Sequence, residues 1–543
     1  MAFDEKTSVR INDMTELSID DLSNDILLVI FNFLDKGGLK RAARVCQRWK
    51  ELITNSKTLT QRLTLFFSTD ERTYSVNEYI IQFNKFLETK AAEFPCRNLK
   101  ARIKEPRTME IWDHLIDSFI KFVKDPLKVY FSSVSIPVVH RYIETYASTL
   151  THLILNYDSD ENSIQDLPFE FPNLVSLHLN QTHIPKSLIA PNLKDFKYYK
   201  TLKNGTPITL NFDEFVVKYL NLNKLDTCCI PELPHSDVKF QLTNLKITTP
   251  ELNQITFKSF IISQQKSLKY LEIRELDLEY RDFVDIIIKH TRIESLWLTA
   301  RYNTNHKPQE TDDFNYSIKK LRICLWPVRS FYVEWPHAEH IIGLLNKFRG
   351  LEHLQLMTMD RIDMIFDQVD FSCLKIMELY FKKGNDLKRF DFAQIQLQNL
   401  EELKIYEINE SIDVENLVKI ASFCSNLKIL NLGKLNYIIK RTEFIKLSHL
   451  EIIFKYSPNI VDFVIEGCAN LLSSFMFNIK TVNSNLQRLK VGVYCDNKIP
   501  IMLAKLQGSK FVCDVHHYKI IGMKPTKWYE EEFDYFKNIS DSD

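Results

Sequence analysis

Two pairs of histidines come closest to chemistry in this sequence. His337-Ala-Glu-His340 spaces two imidazoles at i and i+3, which on a helix would share a face and could supply two corners of a metal site. The run is not H-E-x-x-H and no third ligand stands beside it, so the pair reads as structural. His516-His517 are adjacent, and on a strand neighbouring side chains point to opposite faces, which gives the same reading. Ten cysteines run from Cys46 to Cys513 with no C-x-x-C among them and one adjacent couple, Cys228-Cys229. Neither zinc spacing nor a disulfide framework is visible, so they read as reduced thiols that pack as small hydrophobes. Residue types leave a cysteine nucleophile open, although nothing marks one. The 11 glycines are placed so that neither G-x-G-x-x-G nor G-x-x-x-x-G-K can be written, and G-x-S-x-G is absent, which excludes phosphate loops and nucleophile elbows of those kinds. The expectation is a non-catalytic chain with no metal and no cofactor.

Composition points the same way. Lysine plus arginine and aspartate plus glutamate both number 70, so no whole-chain field pulls the molecule toward nucleic acid or an anionic membrane. The first twenty residues lack the layout of a signal peptide, and the longest apolar runs, such as Ile26–Phe31, are far too short to span a bilayer. The expected setting is cytoplasmic, nuclear or both. At 543 residues the chain could hold several ordinary domains or one repeat array that grows without enlarging a single core.

The elements that must do the work are therefore binding surfaces. After a charged leader over 1–17, Ile26, Ile30 and Leu34 recur at i, i+4 and i+8 with Leu27 and Phe31 beside them, which predicts an amphipathic helix. Ser23 is its N-cap, Asp25 complements its dipole, and Gly37-Gly38 is its stop. A second helix is expected over Leu39, Ala42, Ala43, Val45, Cys46, Trp49, Leu52 and Ile53. Two such helices are too small a core to stand alone and must lean on the next domain or on a partner.

Leu22-Ser23, Asp25-Ile26-Leu27, Ile30-Phe31, Leu34, Leu39, Val45-Cys46 and Trp49 together closely resemble the F-box, over about forty residues. The resemblance implies a helical unit over 18–63 that binds a Skp-type adaptor and, through it, a cullin scaffold carrying ubiquitin-transfer machinery. It assigns adaptor binding to Leu22, Ile26, Leu27, Ile30, Phe31, Leu34, Leu39, Val45, Cys46 and Trp49. Two positions depart from the family pattern: Ser23 stands where proline is usual, and Gly38 where an acidic residue often caps the second helix.

From about residue 150 the pattern Leu-x-x-Leu-x-Leu returns repeatedly, as in Leu174/Leu177/Leu179, Leu296/Leu298 after Ile293, and Leu427/Leu430/Leu432. Units starting at 150, 174, 193, 217, 242, 268, 293 and 318, then at 351, 374, 400, 427, 460 and 486, follow at close to the leucine-rich-repeat period of roughly 20–29 residues. The longer step from 427 leaves room for a further turn at Leu450. Helical spacing recurs between strands at Phe215–Tyr219, Phe257–Ser263, Phe283–His290, Ile341–Phe348 and Leu417–Cys424. Asparagine precedes the first leucine at Asn173, Asn192, Asn399, Asn426, Asn459 and Asn485, as a side chain bonding the turn would require.

The expected fold is thus α/β: an N-terminal helical F-box, then a curved leucine-rich-repeat solenoid over 150–520, with parallel inner strands and outer helices. Residues 64–149 read as divergent first repeats, with strands at Leu99 to Ile103 and Leu127 to Phe131 and helices near Glu78–Glu88 and Met109–Val123. Residues 521–543 form an acidic, aromatic tail that either caps the last repeat or binds a partner.

Residues flanking the second and third leucines face the concave side. They include Arg274, Trp297, Arg322, Tyr380, Lys404 and Tyr406, a gathering of aromatics and cations suited to holding a protein client. Trp297 has a second reading, as a side chain stacked along its neighbours. The loops around Trp326 and Trp335, and Trp528 in the tail, are further candidates. Two functions stand: a ligase substrate receptor, or a repeat scaffold whose hairpin acts outside ubiquitin transfer.

Overall fold

A computed structural model describes residues 19–68, 81, 84–85, 96–102, 116–121, 123, 125–132, 134, 136–156, 170–180, 188–199, 219–228, 240–248, 254–276, 287, 292–301, 314–326, 338–358, 365–366, 368–381, 397–407, 414–432, 447–466, 485–494 and 512–518. The chain divides into two compact units, Met1–Leu242 and Thr243–Asp543.

In the first unit a 3-10 turn at Ile19–Asp21 leads into α1 (Asn24–Phe33), α2 (Lys36–Ala42), α3 (Gln47–Asn55) and α4 (Lys57–Thr60). Ser23 caps α1 as expected, its hydroxyl accepting from the Ile26 N–H at 3.4 Å. The glycines do not end α1. That helix stops at Leu34, and Gly37 and Gly38 lie inside α2, whose N-cap is Asp35. The Asp35 carboxylate accepts from the Gly38 N–H at 2.6 Å, so the acidic cap is present three residues before the position where the family pattern puts it. A Cβ on residue 38 would fall 2.8 Å from Asp35 Oδ1 and 3.1 Å from Leu34 Cβ, which is why glycine stands there. The single second helix expected from apolar spacing is two helices, α2 and α3, broken at Ala43 to Cys46. The apolar period runs through the break because both pieces pack inward, so periodicity could not show it.

The repeats of this unit are β1 (Thr64–Ser68), β2 (Asn98–Arg102), β3 (Lys128–Ser132), β4 (His152–Asn156), β5 (Ser176–Asn180), β6 (Asp195–Tyr199) and β7 (Lys224–Thr227), with α5 (Ile136–Tyr146) between β3 and β4. Each strand pairs in parallel with the next. The strands expected near Leu99 and Leu127 are β2 and β3. Residues 116–121 are helical, as expected; the rest of Met109–Val123 and the segment 78–88 lie largely outside the described residues. The unit expected at Val217 starts instead at Leu222, which is buried ahead of β7. Val217 offered an apolar residue close to the expected spacing, but Asn221-Leu222 carries the asparagine-leucine turn.

The second unit holds β8 (Asn244–Thr248), α6 (Gln254–Ser263), β9 (Tyr270–Leu276), β10 (Ser295–Arg301), β11 (Lys320–Trp326), α7 (Ala338–Leu345), β12 (His353–Thr358), β13 (Ile376–Phe381), β14 (Glu402–Glu407), α8 (Val414–Ser422), β15 (Ile429–Leu432), α9 (Leu447–Tyr456), β16 (Asp462–Glu466), β17 (Arg488–Tyr494) and β18 (Val512–Tyr518). Consecutive strands again pair in parallel from β8 to β18. β15 pairs directly with β16, and Leu450 is a buried residue of α9, so no extra strand occupies that long unit.

In the strands of the second unit whose side chains are described, the second and third positions of the repeat are core: Leu271 and Ile273, Leu296 and Leu298, Leu354 and Leu356, and Leu403 and Ile405 are all buried. Each such side chain contributes on the order of 1.5–3 kcal/mol on leaving water, which only its neighbours in the stack make possible. Turn asparagines lock the stack. Asn173 Nδ2 donates to Ser148 O at 2.7 Å, Asn192 to Pro172 O at 2.6 Å, Asn426 to Gln398 O at 2.6 Å and Asn485 to Pro458 O at 2.9 Å, and Asn221 makes the same bond to Pro191 O at 3.1 Å.

A second ladder runs beside it. The residue just before each strand from β9 to β15 alternates in charge: Lys269, Glu294, Lys319, Glu352, Lys375, Glu401, Lys428. Lys269 pairs with Glu294 at 3.1 Å, Glu352 with Lys319 at 3.6 Å and Lys375 at 2.8 Å, and Glu401 with Lys428 at 2.8 Å.

Candidate interaction surfaces

The ten hairpin residues divide by exposure. Leu27, Phe31, Leu39 and Trp49 are buried, and Phe31 meets Trp49 edge to face with ring centroids 5.1 Å apart. Those four make the core that joins α1, α2 and α3, and a partner cannot reach them without opening it. Leu22, Ile30, Leu34 and Cys46 are half-buried, while Ile26 and Val45 are exposed at 49% and 62%. Sequence reasoning missed Val29, exposed at 57%, and Phe33, exposed at 85%. Ile26, Val29 and Phe33 stand at i, i+3 and i+7, so α1 carries a second apolar stripe that faces outward. The signal was there, since apolar residues crowd all round α1, but spacing alone does not tell an inward stripe from an outward one.

Side-chain bonds to backbone carbonyls fasten the hairpin together and to the first strands. Arg48 donates from Nη2 to Leu22 O at 2.6 Å and from Nε to Asn24 Oδ1 at 3.0 Å, tying α3 to the start of α1. Arg62 donates to Asn32 O at 2.9 Å and to Leu34 O at the other end of that helix. Asn98 of β2 donates to Gln61 O at 2.7 Å, linking the α4 end to the second strand.

On the inner strand face of the second unit, Glu272, Trp297, Arg322, Gln355, Glu378 and Lys404 stand opposite one another from strand to strand. Trp297 is half-buried, not the exposed indole that the sequence suggested. The Arg322 guanidinium sits 3.7 Å from its ring centre and that of Arg274 4.8 Å, each within cation–π range. The stacked reading of Trp297 thus holds for its ring faces. Its indole N–H has no hydrogen-bond acceptor among the described residues.

Glu272 is 3% exposed and accepts from Arg274 Nε at 2.5 Å and from the Tyr270 hydroxyl at 2.7 Å, with Lys246 Nζ at 3.6 Å. Burial, then this carboxylate, push the Tyr270 phenol well above its ordinary pKa. Further along, Tyr380 and Tyr406 stack at 4.6 Å. Glu378 accepts from Lys404 Nζ at 3.0 Å, and Lys404 also reaches Glu402 at 2.7 Å. Burial alone would raise the Glu378 carboxyl, but His353 and Lys404 outweigh it and hold it at about 2.

The inner face of the first unit brings Ser176, His178 and Asp195 together. Ser176 Oγ lies 3.2 Å from His178 Nε2 and donates to Asp195 Oδ2 at 3.1 Å, while that same carboxylate oxygen lies 3.5 Å from the same ring nitrogen. A hydrolytic relay needs serine and carboxylate on opposite nitrogens of the imidazole, so this cluster is a polar network within the strand face. Burial, then Lys128 and His178, press the nearby His152 imidazole down to about 4 against the opposing pull of Asp195.

Among the described residues no three His, Cys, Asp or Glu side chains converge as a metal site. The side chains of His337, His340, His516, His517, Trp326 and Trp335, the leader and the tail over 521–543 lie outside the described residues, although the backbone of His516 and His517 is within β18. Cys96, Cys228, Cys324 and Cys424 are buried and in no disulfide, Cys46 is half-buried and Cys373 is exposed. Burial lifts the Cys96 thiol to about 11 and the Cys424 thiol to about 12, opposite to what a nucleophile needs.

Residues 19–65 match the family model described as F-box-like. No curated protein matches the chain. Among solved structures, the chain is similar to one in the crystal structure of the Rad7 and Elc1 complex in yeast, at 16% identity and a TM-score of 0.34, covering 81% of this chain and 92% of that one. It is also similar to one in the crystal structure of the TLR13-ssRNA13 complex, at 14% identity and a TM-score of 0.36, covering 78% and 71%. By the family match the chain carries an F-box-like domain over residues 19–65, and the strands described above follow it as parallel-strand repeats with leucine-rich-repeat spacing.

Proposed function

We propose that this chain is the substrate-recognition subunit of a cullin-based ubiquitin ligase, working in the cytoplasm, the nucleus or both. Its F-box-like hairpin docks a Skp-type adaptor, its inner strand face holds a protein client, and ubiquitin transfer is left to the rest of the assembly. The observation that carries this reading is the outward apolar stripe of α1, Ile26, Val29 and Phe33, inside the segment that matches the F-box-like model. A short helix that is apolar on both faces, one of them in water, needs a partner to cover the second. The bonds from Arg62 and Asn98 would hold a docked adaptor in a fixed relation to the first strands.

The test is purification of the tagged full-length chain from its native cell, with quantitation of a Skp-type adaptor and a cullin. Near-stoichiometric recovery of both is expected. Their absence would leave a repeat scaffold whose hairpin serves assembly alone.

A further inference from the structure

We infer that the adaptor surface met by the helical unit is acidic, and that a basic face of α2 receives it; this rests on the receptor reading above. Lys36 and Lys40 stand at i and i+4 of α2, Arg41 lies beside Lys40, and Arg44 follows in the turn that ends the helix. All four are exposed, and among the described residues none of them holds a hydrogen bond or an ion pair. The stretch from Lys36 to Lys50 carries six cations and no acidic residue, whereas the whole chain balances 70 against 70. Asp35 and Glu51, the carboxylates at its two ends, are engaged within their own helices, Asp35 as the cap of α2 and Glu51 by Gln47 Nε2 at 2.8 Å.

This grouping works against the helix that carries it. Lys36 and Lys40 are like charges one turn apart, and Lys36 sits in the first turn, where the helix dipole favours an anion. Neither capping nor packing calls for it, since the cap is Asp35 and the buried face is Gly38, Leu39 and Ala42. The basic face also adjoins the apolar one. Phe33, exposed at 85%, ends α1 three residues before Lys36, so their Cα atoms are at most about 11 Å apart. Val45, exposed at 62%, follows Arg44 directly. One partner can thus cover apolar side chains at both ends of a row of cations. Apolar cover supplies affinity, while complementary charge speeds encounter and fixes orientation. Nucleic acid fits less well, because its phosphates would use the cations and leave Val29, Phe33 and Val45 in water.

The experiment follows association of the full-length chain with a purified Skp-type adaptor from the same cell by biolayer interferometry. Raising sodium chloride from about 0.05 to about 0.5 M should slow association about tenfold or more, while the dissociation rate changes far less. At low salt Lys40→Glu combined with Arg44→Glu should slow association about tenfold, and Lys40→Gln with Arg44→Gln should do so to a smaller extent. Lys266→Glu combined with Lys419→Glu makes an equal change in net charge at exposed sites of the second unit and should leave the rate within about twofold. Circular dichroism checks that each variant is folded. Adaptor binding that ignores both salt and the α2 variants, or that falls equally in the Lys266/Lys419 control, overturns the inference and leaves the receptor reading standing. A wild-type chain that binds no adaptor at either salt defeats the receptor reading and this inference with it. A single-stranded RNA that binds through Lys40 and Arg44, with adaptor binding indifferent to them, gives the face to nucleic acid instead.

Discussion

The Arg322 guanidinium covers the Trp297 ring at 3.7 Å, one repeat along from it and opposite it in register. The contact ties the stability of the inner face to the same side chain that a client would touch. Trp297→Ala should therefore do two things. It should destabilise the second unit by about 1–2 kcal/mol through loss of cation–π contact and packing, and weaken client capture by about 2 kcal/mol or more. Trp297→Phe should restore most of the stability. Urea unfolding measures the first effect and client pull-down the second; loss of stability with capture intact would make the indole structural only.

On the hairpin, exposure separates docking from folding. Ile26→Asp combined with Phe33→Asp should leave the helices folded by circular dichroism and cost adaptor binding at least about 2 kcal/mol. Phe31→Ala should cost about 3–5 kcal/mol of stability, since it empties the contact with Trp49. A double change of Ile30 and Phe31 would confuse the two. An Ile26/Phe33 variant that keeps full adaptor affinity would mean that the outward stripe is not the docking surface.

The turn ladder is testable at Asn426. Replacing it by Ala removes one bond to Gln398 O and should cost about 0.5–1 kcal/mol at this exposed turn. Asn426→Asp should cost more, because a carboxylate would face that carbonyl. Equal effects of the two in differential scanning calorimetry would show that the bond does not matter.

Glu352 sits between Lys319 and Lys375 and holds ion pairs with both. Glu352→Lys lines up three cations, so its melting temperature should fall at low salt and recover as added salt screens the repulsion. A salt-independent loss would point to packing.

The Glu378 carboxyl is held at about 2 against an ordinary 4.5. A folded-state pKa below the unfolded one stabilises at pH values above 4.5, and that contribution is lost as pH falls through the window toward 2. Wild type should thus exceed Glu378→Gln in melting temperature at pH 6, with the gap closing between pH 4.5 and 2. A gap that stays constant over that range would show that the charge of Glu378 is not what stabilises.

Much of the fold was legible in the chain itself. The repeat period, the buried leucines, the turn asparagines and the F-box pattern are all local regularities, because each unit of a stack meets the same neighbours and so carries the same residues. The alternating Lys269-to-Lys428 series was equally present in the sequence, but its members lie about a repeat apart and become neighbours only when parallel pairing brings them into line.

Tertiary structure decided what spacing leaves degenerate. It moved the repeat at Val217 to Leu222, where the bond from Asn221 to Pro191 closes the turn. It broke the second helix in two and made Asp35 the cap. It divided the apolar residues of α1 between a core with Trp49 and an outward stripe, and it set Trp297 between two guanidiniums. Period and composition determine that a side chain is apolar or charged and on which strand it stands. Whether it meets water, a ring or a carboxylate depends on which residue the neighbouring element brings opposite, and that is a property of packing.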